Sequence, residues 1–306
     1  MGPRLRAWLL IALIAALSGA AVAGAAWYRA RALGPAALLK RLPRSDALIL
    51  YVDFAALRRA GILGAIQAPA ATEDPDYRDF VRRTDFNYSR DLDAALAAFT
   101  SGGRFLLVRG RFDWSSLRSY VQFEKGECRN SLCRMQGSTP DRHISFLPLQ
   151  SNLMALAISP DDSAAVRMQQ SVDGSVPEMP DAPVWFSIPP LLLRSGDLPE
   201  GAQPFAHSLE NAESIVLSLA PEGKQVAARM NVRCRTNQDA VQLTSDLSKA
   251  TALLRTVIER EHRTPNPADL SGVLASGAFL SADARVMGYW RIDQAFFENL
   301  LSEPRP

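Results

Sequence analysis

Residues 7–28, AWLLIALIAALSGAAVAGAAWY, contain no charged side chain, and this run of 22 governs where the rest of the chain can fold. At about 1.5 Å per helical residue it spans a hydrocarbon core of about 30 Å. No later stretch reaches that length. The run reads in two ways. As a cleavable leader it has Arg4 and Arg6 as a basic start, Trp8 to Leu17 as the apolar centre and Ala21-Val22-Ala23 as a cleavage site. As a signal anchor, over residues 1–31, it has Trp27-Tyr28 followed at once by Arg29 and Arg31, the order in which a spanning helix meets headgroups. The aromatic and basic flank favours the single-pass anchor. Basic residues lie on both sides of the run, but long domains translocate largely regardless of charge. The expected arrangement is N-inside, with the body of the chain extracytoplasmic, and secreted if the leader is cut.

Without residues 1–31, 30 basic side chains remain against 32 acidic ones, spread rather than clustered. That balance lacks the electrostatic footprint of a nucleic-acid binder. Cysteine usage points to the same compartment. Cys128 and Cys133 flank the turn-forming pair Asn130-Ser131, so a hairpin brings them within disulfide reach. A metal site would need further ligands at defined spacing, and a redox pair normally has two intervening residues, not four. The expectation is a structural disulfide formed in an oxidising compartment. Cys234 reads as a buried thiol.

Along the chain, residues 32–45 read as a connector. Ala47–Val52 reads as a strand, and Phe54–Gly61 as a short helix closed by glycine. Residues 67–76 read as a loop. The stretch around Ser101-Gly102-Gly103 reads as a turn before a strand, and Asp113 as the N-cap of a helix carrying Trp114, Leu117, Tyr120 and Val121. Strands are expected at Ile144–Leu149 and Leu153–Ile158, followed by a helix opened by Ser159-Pro160. Residues 172–183 hold three prolines and a glycine and form the best internal linker.

The sequence after that linker looks like the sequence before it. Residues 46–63 lie over 181–198 at an offset of 135, with Asp46/Asp181, Ala47/Ala182, Leu57/Leu192, Arg59/Arg194, Gly61/Gly196 and Leu63/Leu198 identical. Phe146-Leu147 and Met154 match Phe279-Leu280 and Met287 at an offset of 133. In the second half a hairpin is expected around Pro221-Glu222-Gly223. A long helix follows, opened by the capping box Thr236–Asp239, with Leu243, Leu247, Ala250, Leu254 and Val257 on one face. The expected fold is α+β: an N-terminal transmembrane helix, then two β-α-β-β-α-β-β-α repeats over residues 46–175 and 176–306. Their antiparallel sheets would pack side by side.

No nucleophile elbow, zinc-binding helix or glycine-rich phosphate loop is present, and no catalytic residue, metal or cofactor is assigned. The acids Asp74, Asp76 and Asp79 start like a calcium loop, but Arg78 and Asp79 stand where a ligand and a glycine are needed, so they read as a solvated loop. The most enzyme-like group is Asp85, Asp91, Asp93 and Asp113 with Arg90, Arg109 and Arg111. Two such carboxylates facing a cleft could do acid–base work. Against that, Asp113 has a capping role, and Asp91 and Asp93 straddle an element start. His143, His207 and His262 stand apart, beside a strand, in a loop and near a helix end.

Leu42-Pro43 before the strand Ala47–Val52, the segment Thr84-Asp-Phe-Asn-Tyr-Ser-Arg-Asp-Leu-Asp93, and Gly110-Arg-Phe-Asp113 together resemble membrane-anchored extracytoplasmic α+β proteins of bacteria of the DUF3352 type. The resemblance implies an anchored ectodomain and brings no site residue with it. The leading expectation is a non-catalytic binding or scaffolding ectodomain, with an unknown protein or small-molecule partner. The alternatives are a secreted hydrolase using the four aspartates, or a subunit of an envelope complex that packs through the small residues of Gly19–Gly24. A hydrolase requires a pocket on which two of the acids converge, and a binding module an apolar patch or groove.

Overall fold

A computed structural model describes residues 34–65, 75–172, 176, 179–194, 203–223, 225–260, 264–293, 295, 296 and 299. The stretch 7–28, in either reading, lies outside the described residues, as does His262. Among the described residues, no helix is long and apolar enough to cross a membrane.

The chain opens with α1 (Pro35–Leu39) and β1 (Leu48–Val52), then α2 (Phe54–Arg59), α3 (Ile62–Ala65), α4 (Pro75–Thr84) and α5 (Tyr88–Asp91). The hairpin β2 (Leu92–Thr100) and β3 (Gly103–Gly110) leads to α6 (Trp114–Phe123). After it come β4 (Glu127–Arg129), β5 (Leu132–Gln136), β6 (His143–Gln150), β7 (Leu153–Ser159) and a 3₁₀ turn, Ala164–Gln169. The second half runs β8 (Val184–Ile188), a 3₁₀ turn at Pro190–Arg194, α7 (Gln203–Leu209), β9 (Ser214–Glu222) and β10 (Gln225–Arg233). It continues through α8 (Asn237–Arg260), α9 (Leu270–Ala275), β11 (Ala278–Ala282) and β12 (Arg285–Ile292).

All the described strands join one antiparallel sheet in the order β11-β12-β10-β9-β8-β1-β2-β3-β7-β6-β5-β4. The architecture is mixed α+β, as the element pattern implies, but the two expected sheets are one. β1 has β2 on one side and β8 on the other, in register Tyr51↔Trp185, and those two rings stack at 5.6 Å. Pairing β1 with β8 satisfies two inner rows of backbone donors and acceptors that separate sheets would leave open.

Side chains paired directly across strands share a face. The register therefore sorts the sheet into a Tyr51 face and a Leu50 face along its length. In the first half the Tyr51 face carries Ile49, Leu96, Phe105, Leu107 and Ala155, packed under Leu38, Leu39 and Leu42 and under Ala164, Ala165 and Met168 of the 3₁₀ turn. Residues 34–42 are thus part of the core and not merely a connector. On the Leu50 face, Leu117 and Val121 of α6 cover Cys133 and Phe146, and rings from α4 and the α6 entry (Phe80, Phe112, Trp114) close the cluster. In the second half the helices again lie on the Leu50 face: α8 sets Leu243, Leu247 and Ala250 against Ala228, Met230, Val232, Val286 and Trp290.

The box that opens α8 is reciprocal: the Asp239 amide donates to the Thr236 hydroxyl, and the Thr236 amide to the Asp239 carboxylate. Asp113 likewise caps α6, accepting from the amides of Ser115 and Ser116. Four local expectations differ from the structure. The helix expected at Ser159-Pro160 is replaced by side-chain turns, in which Asp161 binds the Ser163 amide, and only the 3₁₀ stretch follows. Val257 is 42 % exposed, because the last turns of the 24-residue α8 run past the core. Asp76 and Asp79 belong to α4, where Asp79 pairs with Arg82 and Arg83. His207 sits in α7, bonded to Glu210 at 3.1 Å.

Candidate functional site

Arg90 brings two of the four aspartates together. Its guanidinium lies 2.8 Å from Asp91 and 3.4 Å from Asp85. Asp91 is buried at the end of α5, accepts the Asn87 amide at 2.9 Å and faces Arg111 at 3.3 Å. The hydrogen bonds from Arg90, then the Asn87 amide and the positive charge of Arg90 and Arg111, hold its carboxyl below the usual carboxylate range despite burial. Asp85 is the reverse case, a residue at φ 53° whose side chain points into solvent. Asp93 is half-buried on β2. Asp113 caps α6, and its pKa is lowered by the hydroxyl and amide donors of Ser116 and Ser115. Asp85 and Asp91 thus ion-pair with Arg90, and Asp113 caps a helix. Among the described residues there is no group of three side chains suited to holding a metal ion.

The cysteine pair stands where the sequence places it. Cys128 on β4 and Cys133 on β5 are directly opposed and joined, with sulfurs 2.04 Å apart. Asn130 and Ser131 form the two-residue turn, both at positive φ (49° and 69°), as a type I′ turn requires. Cys234 is buried at the end of β10, and burial pushes its thiol pKa up.

A concave feature among the described residues is of another kind. Between the Leu50 face of β8, β9, β10 and β12 and the helices α7, α8 and α9 lies a cavity of ≈ 240 Å³. Phe186, Leu217, Leu219, Ala228, Met230 and Trp290 line it from the sheet. Phe205, Leu209, Leu247, Val273 and Leu274 line it from the helices. Every described lining residue is apolar, and none of the four aspartates is among them. The volume exceeds the about 150 Å³ of a dry apolar cavity that takes up benzene, and approaches the about 300 Å³ at which drug-sized sites begin. A water inside would find no polar partner on these walls. An aliphatic or aromatic group would recover the dispersion contacts that the void forgoes.

Trp290, whose ring lines the cavity, also carries a polar group. Among the described residues, the Trp290 indole N–H is buried without an acceptor. The ring meets Phe279 edge-on at 5.4 Å. Gly277 leaves the space the indole needs, since a Cβ there would come within 2.6 Å of its nitrogen.

None of the cavity residues stands out in the sequence. Each occupies an inward position of a strand or helix that reads as ordinary core. Two of the three helices that wall it, α7 and α9, are short, at seven and six residues.

No family model matches the chain, and no curated protein matches it. Among solved structures, crystal form IV of TP0453 is similar at a TM-score of 0.49 and 10 % identity, covering 87 % of this chain and 96 % of that one. Crystal form III of TP0453 gives 0.48 and 12 %, over 87 % and 98 %.

Proposed function

We propose that this chain is a single-pass, membrane-anchored extracytoplasmic protein whose ectodomain acts by binding, without catalysis, a small apolar molecule of lipid-like chemistry. The observation that carries the binding half is the ≈ 240 Å³ cavity, whose described walls are apolar side chains. A site for a polar metabolite would need converging donors or charges, and an acid–base hydrolase would need two carboxylates on one hollow. The anchoring half rests on the uncharged run 7–28 and its aromatic and basic flank. The oxidising side of the membrane is favoured by the bonded pair Cys128–Cys133.

The ectodomain reads as two copies of one unit, fused at β1 and β8. In favour is the strand order: from the β1–β8 seam, β1-β2-β3-β7-β6 runs one way and β8-β9-β10-β12-β11 the other. Helices α6 and α8 occupy the same place, after the third strand of each set and on the same face. The β4–β5 hairpin is then an insertion in the first copy. The gap-free offset of 135 sets Tyr51 over Phe186, which face opposite ways, so an equivalence that preserves the faces must shift by one residue.

The test is uptake. The purified full chain in mild detergent is expected to bind a fluorescent long-chain fatty acid with one site per chain, and to release an apolar molecule on denaturation that mass spectrometry detects. Ala228→Leu, which fills the cavity from β10, is expected to lower that affinity at least tenfold with an unchanged far-UV spectrum. Equal uptake by the folded variant, or none by the wild type, overturns the binding reading.

A further inference from the structure

The two edges of the sheet are finished differently. At one end stands β4, three residues long, with Glu127 and Arg129 at its ends and Cys128 bonded to Cys133. Shortness and charge are means by which an edge is kept from pairing with another chain. At the other end stands β11, Ala278-Phe-Leu-Ser-Ala282, which has neither a charge nor a proline. Among the described residues it pairs with β12 alone. Four of its five residues are exposed, Leu280 at 70 %. Alternate N–H and C=O groups of β11 therefore point outward, as the open half of an antiparallel ladder.

The strand is complementary to itself. Laid antiparallel over its full length, it sets Leu280 opposite Leu280 of a second copy, Ala278 opposite Ala282, and Phe279 opposite Ser281, so no like charges meet. Leu280 already faces Met287 across β12, and Met287 is 45 % exposed. Self-pairing extends that spot into a row of four apolar side chains, two from each copy, on the Tyr51 face. The molecule holds a joint of the same kind within itself, where β1 and β8 meet edge to edge. Symmetry adds a second argument. The two-fold axis of such a pair is normal to the sheet, so both copies turn the same face the same way. In the first half the Tyr51 face carries α1, the first described element after the stretch 7–28. Tyr28 and Gly34 are six residue steps apart, at most about 22 Å. Two chains related by this axis send their leading segments to one side, as two anchors in one bilayer must. Anchors held in one plane also raise the effective concentration of each edge around the other.

We propose that β11 pairs antiparallel with β11 of a second copy of this chain, centred on Leu280, to make a two-fold dimer with one sheet running through both copies. The inference rests on the anchored reading above for the common direction of the two tethers, and it does not use the apolar cavity. The pairing satisfies the outward backbone groups of both edges and withdraws Leu280 of each copy from water.

The experiment uses the full chain in mild detergent and in liposomes, with cysteine introduced at single positions. Cys234 is buried and Cys128–Cys133 bonded, so the introduced thiol reacts alone. Under mild oxidation Leu280→Cys is expected to give a disulfide-linked dimer, because directly opposed Cβ atoms lie about 4.5–5.5 Å apart and can close further. Ala282→Cys is expected to give at least tenfold less, since its counterpart lies four residues, about 13 Å, along the strand. Mixing Ala278→Cys chains with Ala282→Cys chains should restore the crosslink. Val241→Cys, exposed on α8, measures chance collision. The unmodified chain should sediment as a dimer. Leu280→Lys, which sets like charges face to face at an exposed site, should raise its dissociation constant at least tenfold with an unchanged far-UV spectrum. A monomer at every concentration overturns the pairing, as does crosslinking at 280 no better than at 241 or 282. A dimer indifferent to Leu280→Lys assigns the contact to another surface and overturns it too. Alkaline carbonate extraction separates this failure from failure of the anchor. A chain retained in the membrane yet monomeric sinks the pairing alone, and one that washes out yet crosslinks at 280 sinks the anchor alone.

Discussion

Asp91 shows how little the presence of acids says about catalysis. Its carboxylate is buried, yet Arg90, Arg111 and the Asn87 amide surround it, and the same chain segment supplies most of these partners. Because its pKa is lowered in the folded state, its contribution to stability is present above the unfolded value of about 3.9 and is lost as pH falls through the folded one. Asp91→Asn is therefore expected to cost about 1–3 kcal/mol at pH 7 and to flatten the loss of stability on acidification below about pH 4. Urea titrations at pH 7 and pH 3 measure both, and equal destabilisation at the two pH values would contradict the assignment. The disulfide belongs to the same scale. A closed loop this short limits the unfolded chain modestly, so Cys128→Ser with Cys133→Ser is expected to lower stability by about 2 kcal/mol, read as a shift in urea midpoint at constant slope.

Among the elements, those whose ends are written in side chains were legible: α6 under Asp113, α8 under Thr236 and Asp239, and the hairpin around Asn130-Ser131. The elements that were not legible depend on tertiary contacts. Nothing local tells that Leu38, Leu39 and Leu42 fold back onto β1 and β2, nor that Val257 outruns the core while Leu247, ten residues earlier on α8, does not. The pairing of β1 with β8 was also hidden, because a strand's own pattern names its buried face but not its neighbour. The cavity was illegible for a related reason, since a void is a shortage of side-chain volume between elements and no single residue records it. Helix α8 carries the second-half core, and Leu247 is buried on both the core and the cavity side. Leu247→Ala is expected to destabilise by about 2–5 kcal/mol, measured by thermal or urea melting. A loss below 1 kcal/mol would mean that α8 is not held by this face.

At the scale of the whole molecule, the seam decides cooperativity. Trp185 sits on β8, the first strand of the second half, yet its ring is buried in the first half's core against Tyr51. The two halves therefore share a continuous ladder and a hydrophobic contact. Urea unfolding is expected to follow one transition, with near-UV and far-UV circular dichroism coincident. Two separated transitions would show that the seam contributes little.

The tight reversal at Asn130-Ser131 has a kinetic corollary. Three thiols allow three single bridges, but two of them must close loops of about a hundred residues, whereas Cys128 and Cys133 are five apart. Closure probability falling as the three-halves power of loop length favours the near pair roughly seventyfold, before any left-handed preference of the reversal is counted. Whichever oxidant the nascent chain first encounters, the correct crosslink is the one it makes, and Cys234 can be enclosed by β10 and its neighbours without ever competing.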